Sequence, residues 1–292
     1  MRTAADVTFA QAMLLAALQG VSQLFPVSSL GHTVLLPALL RWKVDEGSAQ
    51  FLAFVVVLHL GTAAALLVFY RETWVKIVRG VVASVVRGRI GDDPSEKIGW
   101  LLIVGTIPVG VLGVLLESAV KRLFASPVPV ALFLCANGVL MLFGEALRRR
   151  QLAAQGAAAV RRLPELPYRD GVVVGFAQAL ALLPGISRSG SAIVAGLLRD
   201  LRHEDAANYA FLLATPVIAA ASVLEIPKLL EPGAHLALVE AVAGGVLAGV
   251  TAYASVAFLT RWFRHNDLRP FGWYCVLAGA ACAILFTTKV IA

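Results

Sequence analysis

The sequence predicts an all-α integral membrane protein, a polytopic helical bundle of two inverted repeats, each with a re-entrant helical hairpin plus three full spans. Three observations carry that expectation. Of the 292 residues, 59% are apolar and 15% charged, against roughly 45–50% and about 25% in ordinary soluble domains. The runs Phe51 to Tyr70, Leu236 to Leu259 and Gly272 to Ile291 each reach the roughly 20 residues that a helix needs to cross about 30 Å of hydrocarbon. Two shorter apolar runs each follow a proline-containing break, and the breaks resemble each other.

The first apolar run, near residues 8–25, is preceded only by Arg2 and Asp6 and lacks a small-residue cleavage site, so it is expected to be structure and not a removed signal. It leads through Phe25-Pro26-Val27-Ser28 into a short run over 29–40. Full spans are expected near 51–70, 101–117 and 127–145. The second hairpin, about 171–198, has its own break at Leu183-Pro184-Gly185-Ile186, and spans near 207–224, 236–259 and 272–291 follow. Backbone interrupted at membrane depth is tolerated only where protein buries it or a wet cavity solvates it. The two breaks therefore mark where a polar site belongs.

Gly20-Val21-Ser22-Gln23 ahead of Pro26, Ser28, Ser29 and Gly31 is matched by Gly175-Phe176-Ala177-Gln178 ahead of Pro184, Ser187, Ser189 and Gly190. One hairpin plus three spans is an odd number of crossings, so the second half is inverted relative to the first. The expected units are a first membrane repeat over 1–147, a cytoplasmic linker over 148–170 and a second membrane repeat over 171–292.

Net charge is +7, and the cations sit between apolar segments, which points to membrane orientation and anionic headgroups, with no nucleic-acid partner. Segments 71–99, 148–170, 199–206 and 260–271 fall on one side, and they are far richer in Lys and Arg than 41–50, 118–126 and 225–235. The basic side is then cytoplasmic. The first hairpin enters from outside and the second from inside. Cys135, Cys275 and Cys282 lie inside apolar segments without metal-ligand spacing and read as packing residues.

Arg188 is the most informative residue. In an apolar stretch an arginine costs at least about 2.5–3.5 kcal/mol at the helix centre, so it needs an anion or a wet cavity. Its planar fork suits phosphate, and neighbouring hydroxyls and helix-opening N–H groups add donors. Pro184 to Gly190, with Gly185, Ser187 and Ser189, reads as an anion cradle. The competing reading is a turn, a capping serine and a snorkelling arginine.

In the first break, Ser29 and His32 are three residues apart and can share a helix face. A serine needs a base to become a nucleophile, and an imidazole can accept and return a proton. Either Ser29 attacks phosphorus with His32 carrying the proton, or His32 attacks it directly. His59 is a polar residue within a full span and reads more readily as packing than as function. Glu117 and Glu145 read as interfacial residues, and Asn137 as a tie between helices.

These residues resemble the undecaprenyl-pyrophosphate phosphatases associated with bacitracin resistance. Pro184 to Ser189 is similar to the family's P-G-x-S-R-S motif, and Pro26 to His32 to its P-V-S-S-x-G-H. Leu58 to Thr62, Gly105 to Pro108, Phe211 to Pro216 and Arg269 to Tyr274 resemble further stretches in the same order. The resemblance implies removal of the terminal phosphate from undecaprenyl pyrophosphate in the bacterial inner membrane, at a site open to the outer face. It also implies use of a divalent cation, Mg²⁺ or Ca²⁺, in recycling the carrier lipid for peptidoglycan synthesis.

On that reading Ser29, His32 and Arg188 are catalytic, and Gln19, Gln23, Ser28, Gly185, Ser187 and Ser189 bind substrate, with Gln19 and Gln23 also the metal ligands. Two positions depart from the family. Gln23 stands where the family carries Glu, following Gln19 at its Glu-or-Gln position, and Ala192 stands where it usually carries Thr. An amide offers a carbonyl oxygen but no charge and no general base. A lipid or anion transporter and a non-catalytic lipid-diphosphate binder stay open as alternatives, as does a homodimer.

Overall fold

The computed structural model describes residues 8–42, 49–123, 126–156, 160–225 and 238–288. Thr8 opens the first helix, α1 (Phe9–Ser22), with a reciprocal cap: its hydroxyl accepts from the Gln11 N–H at 3.3 Å while Gln11 Oε1 accepts from the Thr8 N–H at 2.8 Å. After the first break come α2 (Ser29–Leu39), α3 (Ala49–Phe69), α4 (Arg71–Arg87), α5 (Pro94–Leu123) and α6 (Pro127–Gln155). A 3₁₀ turn at Leu163–Glu165 precedes α7 (Tyr168–Ala179), and a second one at Leu180–Leu182 leads into the second break. The chain closes with α8 (Arg188–Leu198), α9 (His203–Glu225), α10 (Leu238–Trp262) and α11 (Arg269–Thr287). Among the described residues there is no strand, only an isolated bridge between Arg161 and Leu201.

Five helices, α3, α5, α6, α10 and α11, are long and apolar enough to cross a membrane. The chain is a multi-pass, all-α membrane protein. The 14 and 11 residues of α1 and α2, and the 12 and 11 of α7 and α8, fall short of the roughly 20 a lone span requires. The sixth expected span, α9, is not among those five. It begins with the polar His203, Glu204 and Asp205, and its residues Tyr209 to Ala214 are all buried. It forms the middle of the bundle, packed on α8, α3 and α5.

The sequence reading of 71–99 as a loop is corrected by α4. Its Ile77, Gly80 and Ser84 are buried, and the helix packs on α5. Val75, Val78, Val82, Val85 and Val86 are exposed. Five cationic or anionic residues among valines hid a narrow buried stripe, which is the pattern of a helix lying at an interface. α6 likewise continues to Gln155, into the stretch expected to be linker.

The main helix pairs are α6 with α11, α3 and α1 with α10, and α5 with α7. Close approach needs small residues, since apolar lipid gives helices little reason to associate except packing. A Cβ on Gly138 of α6 would lie 2.7 Å from the Val276 N of α11.

Ion pairs stitch the turns on the basic side: Arg148 with Asp200 (2.9 Å), Arg149 with Asp267 (3.0 Å) and Arg264 with Glu204 (3.1 Å). The buried Glu145 accepts from the Leu268 N–H at 3.0 Å and pairs with His203 Nε2 at 2.8 Å, tying α6 to α9 and to the turn before α11. It is a structural carboxylate. The side chain of Glu117 lies outside the described residues.

Candidate active site at the meeting of the two breaks

The two breaks are built alike and touch. In the first, Ser28 has a positive φ of 69° and its Oγ accepts from the Gly31 N–H at 3.2 Å, capping α2. In the second, Ser187 Oγ accepts from the Gly190 N–H at 3.1 Å, capping α8. A side-chain oxygen on one of the helix's orphan donors lets each helix begin at a position buried in the bundle. The first helical residue after each cap is a chemical one, Ser29 and Arg188.

Asn137 of α6 clamps the pair. Its Nδ2 donates to the Pro26 carbonyl at 3.0 Å and its Oδ1 accepts from the Ser187 N–H at 2.9 Å. Ser189 Oγ adds a bond to the Phe25 carbonyl at 3.3 Å. Gly185 has φ 109°, and a Cβ there would collide with the Val130 carbonyl and lie 2.8 Å from the Leu134 N. Only glycine combines that backbone with that proximity to α6.

Between the breaks lies a cavity of about 220 Å³, lined by Gln23, Ser28 and Ser29 from one side and Ile186, Ser187 and Arg188 from the other. His59 of α3 and Gln178 of α7 also line it, with Val109, Leu182, Val217 and Ile218 as apolar wall. Arg188 Nη1 donates to the Ala210 carbonyl at 3.5 Å, while Nη2 is buried with no partner. Among the described residues no carboxylate pairs with it. A buried guanidinium with an idle donor at a cavity wall is set to receive an anion.

The opposite wall is a hydrogen-bonded chain. Ser29 Oγ donates to Gln23 Oε1 at 2.7 Å, Gln19 Nε2 donates to the same oxygen at 2.8 Å, and Gln19 Nε2 also lies 3.2 Å from His59 Nε2. His59 Nδ1 is 2.8 Å from the Val55 carbonyl.

Of the residues named from sequence, Gln23, Ser28, Ser29, Ser187 and Arg188 line this one cavity. Gln19 stands behind Gln23. Ser189 bonds to Ser187 Oγ at 3.1 Å and to the first break, supporting the wall from behind. Gly185 shapes the turn against α6 instead of contributing lining.

His32 is not brought to Ser29. Its Nδ1 lies 2.7 Å from the Ser28 carbonyl, its Nε2 lies 2.8 Å from the Tyr274 hydroxyl, and its ring stacks on Tyr274 with centroids 5.8 Å apart. Helical spacing allowed a shared face, but the carbonyl four residues back and a tyrosine from α11 claim the imidazole.

Three further residues belong to the site. Asn137, expected from sequence as a tie between helices, has one partner in each break. Gln178 donates to the Gly105 carbonyl at 2.7 Å and keeps a buried Oε1 without a donor. Its place in the repeat, opposite Gln23, was the signal for it. His59 was weighed as packing, although a histidine inside a span is itself a signal.

The donor set does not fit a divalent cation held by the protein. Among the described residues no three His, Cys, Asp or Glu side chains gather as a metal site. Gln23 Oε1 already accepts two hydrogen bonds, Gln19 turns its amide nitrogen inward, and Gln178 Oε1 is neutral and shares the cavity with the Arg188 charge. Hard cations favour several oxygens, most of them charged.

The family model described as bacitracin resistance protein BacA matches residues 12–281. An undecaprenyl-diphosphatase of Mycolicibacterium paratuberculosis is 47% identical over 300 residues, covering 96% of this chain and 98% of that one. An undecaprenyl-diphosphatase of Acidiphilium cryptum is 48% identical over 284 residues, 94% of this chain and 96% of its own. Undecaprenyl-diphosphatase 2 of Chromobacterium violaceum is 46% identical over 275 residues, covering 92% and 95%. A match that runs through both breaks and through most of the helices between them, at this identity, places the chain in the bacitracin resistance protein BacA family.

Proposed function

We propose that this protein is an undecaprenyl-diphosphatase, a membrane enzyme that hydrolyses undecaprenyl diphosphate to the monophosphate carrier lipid and phosphate. The observation that carries the reading is Arg188, with its buried Nη2 left without a partner and no carboxylate beside it among the described residues, sharing a cavity with the Ser29 hydroxyl. Relatives of that name at 46–48% identity over nearly the whole chain support it.

Ser29 is the nucleophile in this reading, because its hydroxyl lines the cavity and both His32 nitrogens are engaged elsewhere. Its Oγ–P bond forms as the bridging P–O bond to the lipid phosphate breaks, the hydroxyl proton leaving with the lipid monophosphate, and water then cleaves the Oγ–P bond, returning a proton to Ser29 and releasing phosphate. Arg188 holds the terminal phosphate and stabilises charge on its equatorial oxygens, where most phosphoryl-transfer catalysis resides. Ser28 accepts its cap bond through a lone pair and keeps its O–H to donate to phosphate, whereas Ser187 commits its O–H to Ser189 Oγ, whose own proton goes to the Phe25 carbonyl, and so serves as the cap and wall of the cradle. Ser189 steadies Ser187. Gln19 and Gln23, whose amides are engaged in the chain that ends on Ser29, are not assigned as metal ligands.

The basic side of the bundle is taken as cytoplasmic, and the family resemblance implies a site open to the outer face of the inner membrane, returning the carrier to peptidoglycan synthesis. The packing of α1 on α10 and α7 on α5, with α6 on α11 and α3 on α9 at the centre, supports two inverted repeats meeting around the site. Broken helices in such repeats are also transporter architecture, so a lipid transporter is the second reading.

Phosphate release from undecaprenyl diphosphate by the purified protein, with the lipid product identified by mass, separates the two. One phosphate and one monophosphate lipid per turnover is the expected result. Movement of the intact diphosphate lipid across a liposome membrane without phosphate release would overturn it.

A further inference from the structure

We propose that His59 is a positioning residue for the reaction, fixing through Gln19 and Gln23 the direction in which the Ser29 hydroxyl points. The inference rests on the phosphatase reading above, with Ser29 as nucleophile.

The Val55 carbonyl can only accept, so the His59 Nδ1 beside it at 2.8 Å carries the proton, and a neutral ring then leaves Nε2 as an acceptor. The group that meets this acceptor at 3.2 Å is the Gln19 amide, which must turn its NH₂ toward it. The second hydrogen of that NH₂ goes to Gln23 Oε1 at 2.8 Å, so the Gln23 amide turns its oxygen inward. That oxygen can only accept, and the Ser29 hydroxyl at 2.7 Å must donate to it. Every direction in the chain follows from the first. The outcome is a Ser29 whose proton faces Gln23 and whose lone pairs are left for the cavity and the phosphorus that Arg188 would hold there.

A histidine that merely packs would need the Val55 bond alone. His59 instead lines the cavity, and apart from Arg188 it is the only ionisable side chain among the described lining residues.

The experiment compares the parent with His59→Leu and His59→Gln on undecaprenyl diphosphate, each first checked for a monodisperse, folded preparation. His59→Leu is expected to lower kcat on the order of 100-fold, the scale of a misplaced reacting group, with KM changed little. His59→Gln supplies an acceptor in place of the imidazole and is expected to recover most of that loss. Should His59→Leu fail to fold, the Gln variant and Gln19→Leu, which cuts the chain one link later, carry the same comparison. Parental kcat in His59→Leu or Gln19→Leu, or no recovery in a folded His59→Gln, would overturn the inference while leaving the phosphatase reading intact. A parent without phosphate release would overturn that reading first, and this one with it.

Discussion

Ser29 and Arg188 hold equivalent places in the two breaks: each is the first helical residue after a serine that caps its own helix, with a glycine donating to that cap. The shared geometry delivers two different chemistries to one cavity. A hydroxyl that can attack comes from one half of the chain and a cation that can hold an anion comes from the other. Neither break is a site alone.

Arg188 should be dispensable for folding and indispensable for turnover. Arg188→Ala is expected to lower kcat/KM by about 10²–10³ or more, the scale for losing a preorganised donor. Arg188→Lys should restore only part, since an ammonium lacks the planar fork. Because its Nη2 has no partner, Arg188→Met should leave the thermal unfolding temperature in detergent unchanged or higher, by removing a buried unpaired charge. Unfolding scans beside phosphate-release assays check both halves.

Asn137 must donate and accept at once, so no isosteric replacement serves. Asn137→Leu orphans the Pro26 carbonyl and the Ser187 N–H, at about 1–3 kcal/mol for each buried group. Asn137→Asp keeps the acceptor and loses the donor. Both variants should unfold at lower temperature than the parent, Leu lower than Asp in activity, and kcat should fall more than KM because the two breaks no longer keep register.

Gly185→Ala places a side chain at φ 109° and against the Val130 carbonyl. The backbone strain alone is of order 1–3 kcal/mol. Lower thermal stability and a loss of turnover approaching that of Arg188→Ala are expected, since the turn that aims Arg188 must shift. Gly156, also at positive φ but with nothing within 4 Å of an added Cβ, provides the comparison: Gly156→Ala carries backbone strain without the clash, so it should lower thermal stability less and leave turnover unchanged.

On the basic side, burial pushes the Asp267 carboxyl up, but hydrogen bonds from the Arg269 N–H and guanidinium and from Arg149 outweigh it and hold the group below its ordinary value. A depressed carboxylate stabilises the fold above its unfolded pKa of about 3.9. That contribution is lost as pH falls through the folded value. The parent should therefore unfold at a higher temperature than Asp267→Asn at neutral pH, with the gap closing only below the usual carboxylate range.

Much of this was legible in the sequence because single residues carried it. Pro26 and Pro184 marked the breaks, the lengths of the apolar runs separated hairpins from spans, and Arg188 declared a polar cavity by being an arginine in an apolar stretch. What was not legible depended on meetings between distant residues. α4 was hidden because its buried stripe is only Ile77, Gly80 and Ser84 among charges and exposed valines. His32 could be placed on the Ser29 face by helical spacing, but only the fold could bring Tyr274 to take its Nε2. Asn137 lies far from both breaks in sequence, and no local pattern distinguishes an asparagine that clamps two loops from one that ties two helices.

The most direct test of the central claim is turnover of undecaprenyl diphosphate by the parent, Ser29→Ala and Arg188→Ala, side by side in the same detergent and cation. The account predicts phosphate release by the parent and its loss, by about 10²–10³ or more, in each variant alone, with all three proteins equally well folded. Parental rates in either folded variant would contradict the claim that one residue from each break forms a single active site.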